Sequence, residues 1–403
     1  MIHLPKNTLV ALALIIGTGH IEESFGQQTA RLTQAVTNLD EANTFKIASD
    51  DMNLLNRMSF GFVTEGIVTI TSDRASLVCY RPDGSIVWKK SPPEKVISAI
   101  HVSDNGKFIS AYYPLEEEGR GMTEILSSNG DPVWRKQYNI AFLLSKTGKY
   151  LFSGADVMEV PPLMVIDTAT GNVLWKRRSD EFQARLLDDE TIIHVIRGEV
   201  SMIEMDTGKV IAKRDLREYF EDDLPYTDWE ISVSQDGKYF TILARSEKSQ
   251  KKLIQTYNSR FQVVWTKLIE SGGAAQIVGL SEDGSKLCVT QGYQTSLYDN
   301  LSGNLLWRVK DRILNNGGVV SNDFIAMTQV GYQSEIFVMA KDGSLANRFK
   351  TNSIFMTTKL PQVASKRDPS NLSTPSSLKT SSIVEIREEG DQHVVTFYKE
   401  NRS

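Results

Sequence analysis

A turn-and-tryptophan unit recurring seven times, at spacings of 46, 41, 37, 53, 42 and 40 residues, predicts an all-β fold: a β-propeller of four-stranded antiparallel blades. Two further observations agree. A second glycine-bearing turn recurs inside the units, out of phase with the first. The runs between turns are short, alternate with period two and are rich in β-branched and aromatic residues, as in Lys107-Phe108-Ile109-Ser110-Ala111-Tyr112-Tyr113.

The first series places a Trp, or a residue that substitutes for it, four residues after the turn position. In chain order it reads Asp83-Gly84…Trp88, Asn129-Gly130…Trp134, Thr170-Gly171…Trp175, Thr207-Gly208…Ala212, Arg260-Phe261…Trp265, Ser302-Gly303…Trp307 and Asp342-Gly343…Asn347. The second series is Ser103-Asp104-Asn105-Gly106, Ser145-Lys146-Thr147-Gly148, Ser234-Gln235-Asp236-Gly237 and Ser281-Glu282-Asp283-Gly284. Glycine recurs in both because hairpin turns require positive φ, and Asp or Asn caps the adjoining backbone. Each unit therefore reads as strands A to D joined by hairpins. A sheet this small cannot bury both faces alone, and radial stacking solves that problem. An open β-solenoid is disfavoured because its repeats are nearer 20 residues.

The sequence divides into an N-terminal targeting segment (1–26), a segment with a candidate closing strand (27–54), the repeats (55–360), a Ser/Pro/Lys linker or loop (361–382) and a terminal hairpin (383–403). The hairpin, with Phe355 to Leu360 and a strand near Phe45 to Ala48, is able to build a composite eighth blade. Seven repeats are clear, and the pattern is compatible with eight blades.

In the first segment Lys6 supplies a positive charge, Leu9 to Ile16 an apolar run, and Ser24-Phe25-Gly26 small residues for cleavage before Gln27. The run is shorter than the ~20 residues that span a bilayer, so the expected location is extracytoplasmic, periplasmic or secreted, with no membrane span. Net charge is −5, with 45 basic and 50 acidic residues, which excludes a bulk basic field for nucleic acid. The two cysteines, Cys79 and Cys288, lie in apolar strand patterns and read as free and buried.

The segment Ile166-Asp167-Thr168-Ala169-Thr170-Gly171-Asn172-Val173-Leu174-Trp175 resembles the Asp-x-x-Thr-Gly-x-x-x-Trp repeat of the quinoprotein-alcohol-dehydrogenase-like propellers, the PQQ-like repeat superfamily, and Asp299 to Trp307 is a near match. The resemblance implies that Trp88, Trp134, Trp175, Trp265 and Trp307 dock between neighbouring blades. It says little about activity. The quinone enzymes of that superfamily are longer and carry adjacent cysteines and calcium ligands that cannot be matched here, so the resemblance is to the non-enzymatic branch. WD40 propellers are less similar, since their Gly-His and Trp-Asp signatures are absent.

No residue set points to catalysis, a cofactor or a metal. His101 and His194 sit within strand patterns and read as structural. No HExxH, GxSxG or phosphate-loop pattern occurs. The Asp-x-x-Gly elements lack the alternating ligands of a calcium loop.

In a four-stranded meander the A–B and C–D turns share one face of the disc, and the B–C and D–A connections share the other. The long insertions are Pro114 to Gly121, Ala155 to Pro162 and Arg245 to Lys252, all B–C, and Leu216 to Asp228, which is D–A. All four fall on one face. That face is expected to bind a protein or peptide. Its candidates are Glu116, Glu117, Glu118 and Arg120, then Met158 and Glu159, then Tyr219, Phe220, Glu221, Asp222, Asp223 and Tyr226. Charges on the opposite face, such as Lys146 and Lys209, are expected to matter little for partner capture. The reading is a monomeric scaffold; the alternative is an enzyme with a central-funnel site, a quinone-dependent oxidoreductase or a carbohydrate-active hydrolase.

Overall fold

The computed structural model describes residues 39–48, most of 60–359, and 381–389 and 392–400. Its strands form eight four-stranded antiparallel sheets, and among the described residues the one helical element is a 3-10 turn, Arg217–Tyr219. Blades 1 to 7 each run from an inner strand A to an outer strand D in simple chain order. Blade 1 spans Phe60–Val63 to Ile86–Lys90, blade 2 Ala99–Val102 to Pro132–Gln137, and blade 3 Phe142–Leu144 to Val173–Arg177. Blade 4 spans Phe182–Leu186 to Val210–Asp215, blade 5 Thr227–Val233 to Val263–Ile269, blade 6 Ala275–Leu280 to Leu305–Lys310, and blade 7 Gly318–Val320 to Leu345–Thr351.

The eighth sheet is composite. Ile354–Lys359, Ser381–Glu389 and Gln392–Glu400 follow one another, and Leu39–Ala48 from the N-terminal part of the chain completes the sheet as its fourth strand. The pairing runs from Leu39 opposite Glu400 to Ala48 opposite Gln392. Two distant parts of the chain are thereby held in one sheet.

The core lies between blades. One cluster joins Val68, Ile70 and Cys79 of blade 1 to Ile100, Ile109 and Leu126 of blade 2. Equivalent clusters occupy each junction from blades 2 and 3 to blades 6 and 7. Middle strands are covered on both faces, and Leu77–Tyr80 is buried throughout. Outer strands are covered on one face only, which gives Val210–Asp215 a strict alternation.

Five junctions, those between blades 1 and 2, 2 and 3, 3 and 4, 5 and 6, and 6 and 7, are closed at the outer strand by a tryptophan. Trp88 Nε1 donates to Ser128 O at 3.1 Å, Trp134 to Thr168 O at 2.6 Å, Trp175 to Met205 O at 2.7 Å and Trp265 to Asn300 O at 2.7 Å, each acceptor lying in the next blade. The rings lie over the turn glycine of that next blade. A methyl group on Gly208, at φ +69°, would stand 2.7 Å from the Trp175 ring, and Trp307 lies in the same way over Gly343.

In blades 1 to 3 the residue two positions after the tryptophan makes a second staple, because side chains i and i+2 share a strand face. Lys136 Nζ donates to Gly171 O at 2.6 Å and Arg177 Nη2 to Gly208 O at 3.0 Å. Lys90 Nζ pairs at 2.9 Å with Glu124, a buried carboxylate that also accepts from Tyr113 Oη at 2.8 Å. Burial, with Glu124 beside it, pushes the Tyr113 phenol up.

Cys79 and Cys288 are free and buried, and burial pushes the Cys79 thiol up to about 12. The turn carboxylates are spent on local caps. Asp299 Oδ1 accepts from the Ser302 amide and hydroxyl, and Asp236 Oδ1 from Ser234 Oγ and the Lys238 amide.

Candidate interaction face

The two faces of the disc are built differently. On the A–B and C–D side, turns of successive blades bond to one another. The Asn105 amide donates to Lys146 O at 3.1 Å, the Thr147 amide to Asp189 Oδ1 at 2.8 Å and the Asp236 amide to Glu282 O at 3.2 Å. Lys146 Nζ reaches from blade 3 to Leu187 O of blade 4, at 3.4 Å, and to Gln235 O of blade 5, at 2.9 Å. Lys146 thus has a structural part besides its place on the face expected to matter little for partner capture. Its ammonium joins three blades, because an A–B turn next to the axis brings a long side chain within reach of blades that are remote in sequence.

On the opposite side the chain makes its longer connections. Of the candidate residues there, Tyr219 and Phe220 are described. Glu116, Glu117, Glu118, Arg120, Met158, Glu159, Glu221, Asp222, Asp223 and Tyr226 lie outside the described residues. After the outer strand of blade 4 ends at Asp215, the chain turns through Arg217–Tyr219. The Asp215 carboxylate accepts from the Arg217 amide at 2.9 Å, and the Arg217 guanidinium beside it holds that carboxyl below the usual range.

Leu216 and Phe220, on either side of the turn, drop into the cluster between blades 4 and 5. Phe220 is 6% exposed, so its ring anchors the base of the connection and is not presented to a partner, which corrects the sequence expectation. Tyr219 is half-buried, and its hydroxyl accepts from Arg214 Nη2 at 2.9 Å and Gln255 Nε2 at 3.1 Å. The base of this connection is thus a fixed pedestal.

A second charged feature lies in blade 5. Arg245 Nη2 contacts Glu230 Oε1 at 2.6 Å, and the Ile277 amide of blade 6 donates to Glu230 Oε2 at 2.5 Å. Lys252 stands opposite Arg245 in the strand register, and burial together with that neighbouring charge lowers its pKa. Sequence patterning missed this triad because its members are 15, 22 and 7 residues apart in three different strands.

On inner strands, His101 Nδ1 accepts the Leu144 amide of blade 3 at 3.0 Å, and burial pushes its pKa down to about 4. His194, in the second strand of blade 4, is also pushed to about 4 by burial and by Arg177. Both are packed in the sheets. Among the described residues, no three His, Cys, Asp or Glu side chains converge as a metal site.

A family model described as outer membrane protein assembly factor BamB matches residues 33–176. The crystal structure of BamB from Moraxella catarrhalis is similar over 91% of this chain and 98% of that one, at 15% identity and a TM-score of 0.56. The chain folds as a β-propeller. This propeller is also similar to Sqt1 of Saccharomyces cerevisiae, at 10% identity and a TM-score of 0.54 over 90% of this chain and 99% of that one. The dihydro-heme d1 dehydrogenase NirN matches at 9% identity and 0.53 over 89% and 78%. These likenesses establish the propeller fold. No curated protein matches the propeller in sequence.

Proposed function

We propose that this propeller is an exported, non-enzymatic scaffold that binds a protein or peptide through the face carrying its B–C and D–A connections. The observation that carries the reading is the division of labour between the faces. One face is tied turn to turn by hydrogen bonds, and the other holds the longer connections, of which the Leu216–Phe220 pedestal is anchored at its base. The match to an outer membrane assembly factor supports a protein partner and an extracytoplasmic location. The alternative, an enzyme with an axial site, draws on the likeness to NirN, which concerns the fold alone.

The test is to cross-link the protein in a native envelope fraction, identify the captured partner, and measure its affinity for two variants. Combined Glu221→Ser, Asp222→Ser and Asp223→Ser should weaken binding about tenfold or more. Lys107→Glu, an exposed charge on the turn face, should leave it unchanged. Equal affinity in the loop variant, with loss in the Lys107 variant, would reverse the assignment of faces.

A further inference from the structure

The perimeter of the disc has a composition unlike the rest of the chain. The outer strands of blades 1 to 7 carry thirteen Lys and Arg against one acidic residue, Asp215, in a protein whose net charge is −5. Only the composite blade breaks the pattern, with Asp40 and Glu41 on its outer strand. The basic residues divide by strand face. Those on the tryptophan side, such as Lys136 and Arg177, are used as staples to the next blade. On the other side Lys89, Lys176, Lys213, Arg308 and Lys310 are exposed, Lys213 paired with Glu199, whereas Arg135 is half-buried against Glu94.

Beside this exposed charge stand aliphatic side chains that nothing covers among the described residues: Ile86, Val133, Leu174, Ile211 and Leu306. The patch is densest on blade 6. Leu301 in its C–D turn is 47% exposed, and Leu305 and Leu306 on its outer strand are 42% and 49% exposed. Arg308 and Lys310 follow them on the same strand, both exposed, with Arg308 Nε held by Ser296 Oγ at 3.2 Å.

Part of this has a protective explanation. The pairing of strands C and D is bulged in each of blades 1 to 7, at Leu297/Tyr298 in blade 6, and basic residues with bulges are how a sheet edge refuses another strand. Exposed leucines have the opposite effect and need another cause. An edge that refuses a strand but alternates aliphatic and basic side chains suits a surface with no fixed shape, apolar beneath and anionic above. Repetition of the same pairing on several blades also fits such a surface better than a single protein epitope.

We propose that the outer edge of blade 6 docks on an anionic lipid surface, with Leu301, Leu305 and Leu306 entering the headgroup layer and Arg308 and Lys310 meeting lipid phosphates. Docked in this way the disc stands on edge, and its loop face looks along the membrane, open to a partner.

The test uses the full chain carrying Leu306→Cys, labelled with an environment-sensitive fluorophore. The native Cys79 and Cys288 are buried and should not compete for the label. On phosphatidylglycerol-rich vesicles the label should shift to an apolar environment, and the shift should weaken with salt. The same label at Lys107→Cys on the turn face should stay in water. Combined Arg308→Glu and Lys310→Glu should weaken vesicle binding about tenfold or more with an unchanged circular dichroism spectrum. Because all variants share the N-terminal apolar run, differences between them report the rim.

The proposal is overturned if the Leu306 label remains in water in the presence of vesicles, if it responds equally to neutral phosphatidylcholine, or if the Lys107 label shifts as much. It is also overturned if sedimentation without lipid shows a dimer that Leu305→Ser with Leu306→Ser dissociates, since the patch would then join two copies of this chain.

Discussion

Ala212 and Phe261 pack against one core cluster between blades 4 and 5, in the two positions that a tryptophan and a glycine hold at the neighbouring junctions. The departures from the repeat occur together. Where the outer strand lacks its large ring, the facing turn supplies one, and Phe261 accepts φ +64° to do so. Its ring centroid lies 5.1 Å from Tyr257 and 6.0 Å from Phe240, so aromatic packing offsets a left-handed conformation that disfavours a bulky residue.

A double-mutant cycle tests this exchange. Phe261→Gly relieves the backbone but leaves a cavity, and should lose about 2 kcal/mol or more. Ala212→Trp alone should lose about 1–3 kcal/mol by overpacking. The double variant rebuilds the arrangement of the other junctions and should be more stable than the sum of the single losses by about 1 kcal/mol or more in urea unfolding. Additive losses would show that the two positions do not share a space.

The regular junction makes a simpler prediction. The half-buried Trp175 packs against the cluster between blades 3 and 4, and Trp175→Ala should cost about 3 kcal/mol. Gly208→Ala should cost about 1–2 kcal/mol or more, because the added methyl meets both the positive φ and the Trp175 ring. A Trp175→Ala loss below about 1 kcal/mol would mean that the indole contributes little to the junction.

The repeat was legible because a turn needing positive φ and a ring needing a bare backbone beneath it both leave fixed residue types at fixed spacing. The composite blade was legible from its strand patterns at both ends of the chain. What escaped was long-range. Nothing local marks Lys136 or Arg177 as staples, since a Lys or Arg on an edge strand is ordinary. Phe220 was misplaced because an aromatic within an acidic connection reads the same whether it faces solvent or drops into the groove between two sheets, and only the fold tells these apart.

Lys146 illustrates the same limit. Its ammonium supplies donors to Leu187 O and Gln235 O, and Lys146→Met keeps most of the stem while removing them. About 1–2 kcal/mol should be lost. Amide exchange should quicken in the A–B turns of blades 3 to 5 and not in the outer strands. Unchanged stability would show that the bonds to Leu187 O and Gln235 O contribute nothing net to the fold.

Acid should weaken the fold through two histidines packed in its sheets. His101 and His194 are held neutral with pKa values near 4, whereas the unfolded chain takes up protons near pH 6.5. Their contribution is therefore fully present above about pH 6.5 and is lost as pH falls toward 4, up to about 3 kcal/mol each. Denaturant midpoints measured from pH 7.5 down to 4.5 should fall, and His101→Gln with His194→Gln should flatten that slope. An equal slope in the double variant would assign the acid sensitivity to carboxylates.

The pedestal at Leu216–Phe220 separates stability from recognition. Phe220→Ser removes a ring from the core between blades 4 and 5 and places a hydroxyl there, so a loss of about 3–5 kcal/mol is expected whether or not a partner binds nearby. Tyr219→Phe removes only the hydroxyl that accepts from Arg214 and Gln255, and should cost about 1 kcal/mol. The acidic residues that follow, Glu221 to Asp223, contribute charge to the connection, and their replacement by Ser should leave the thermal midpoint nearly unchanged while reducing partner affinity. The three measurements together decide the matter: if the Ser replacements at 221–223 leave affinity intact and only Phe220→Ser abolishes capture, in proportion to the fraction unfolded, then this connection supports the propeller and recognition lies elsewhere on the loop face.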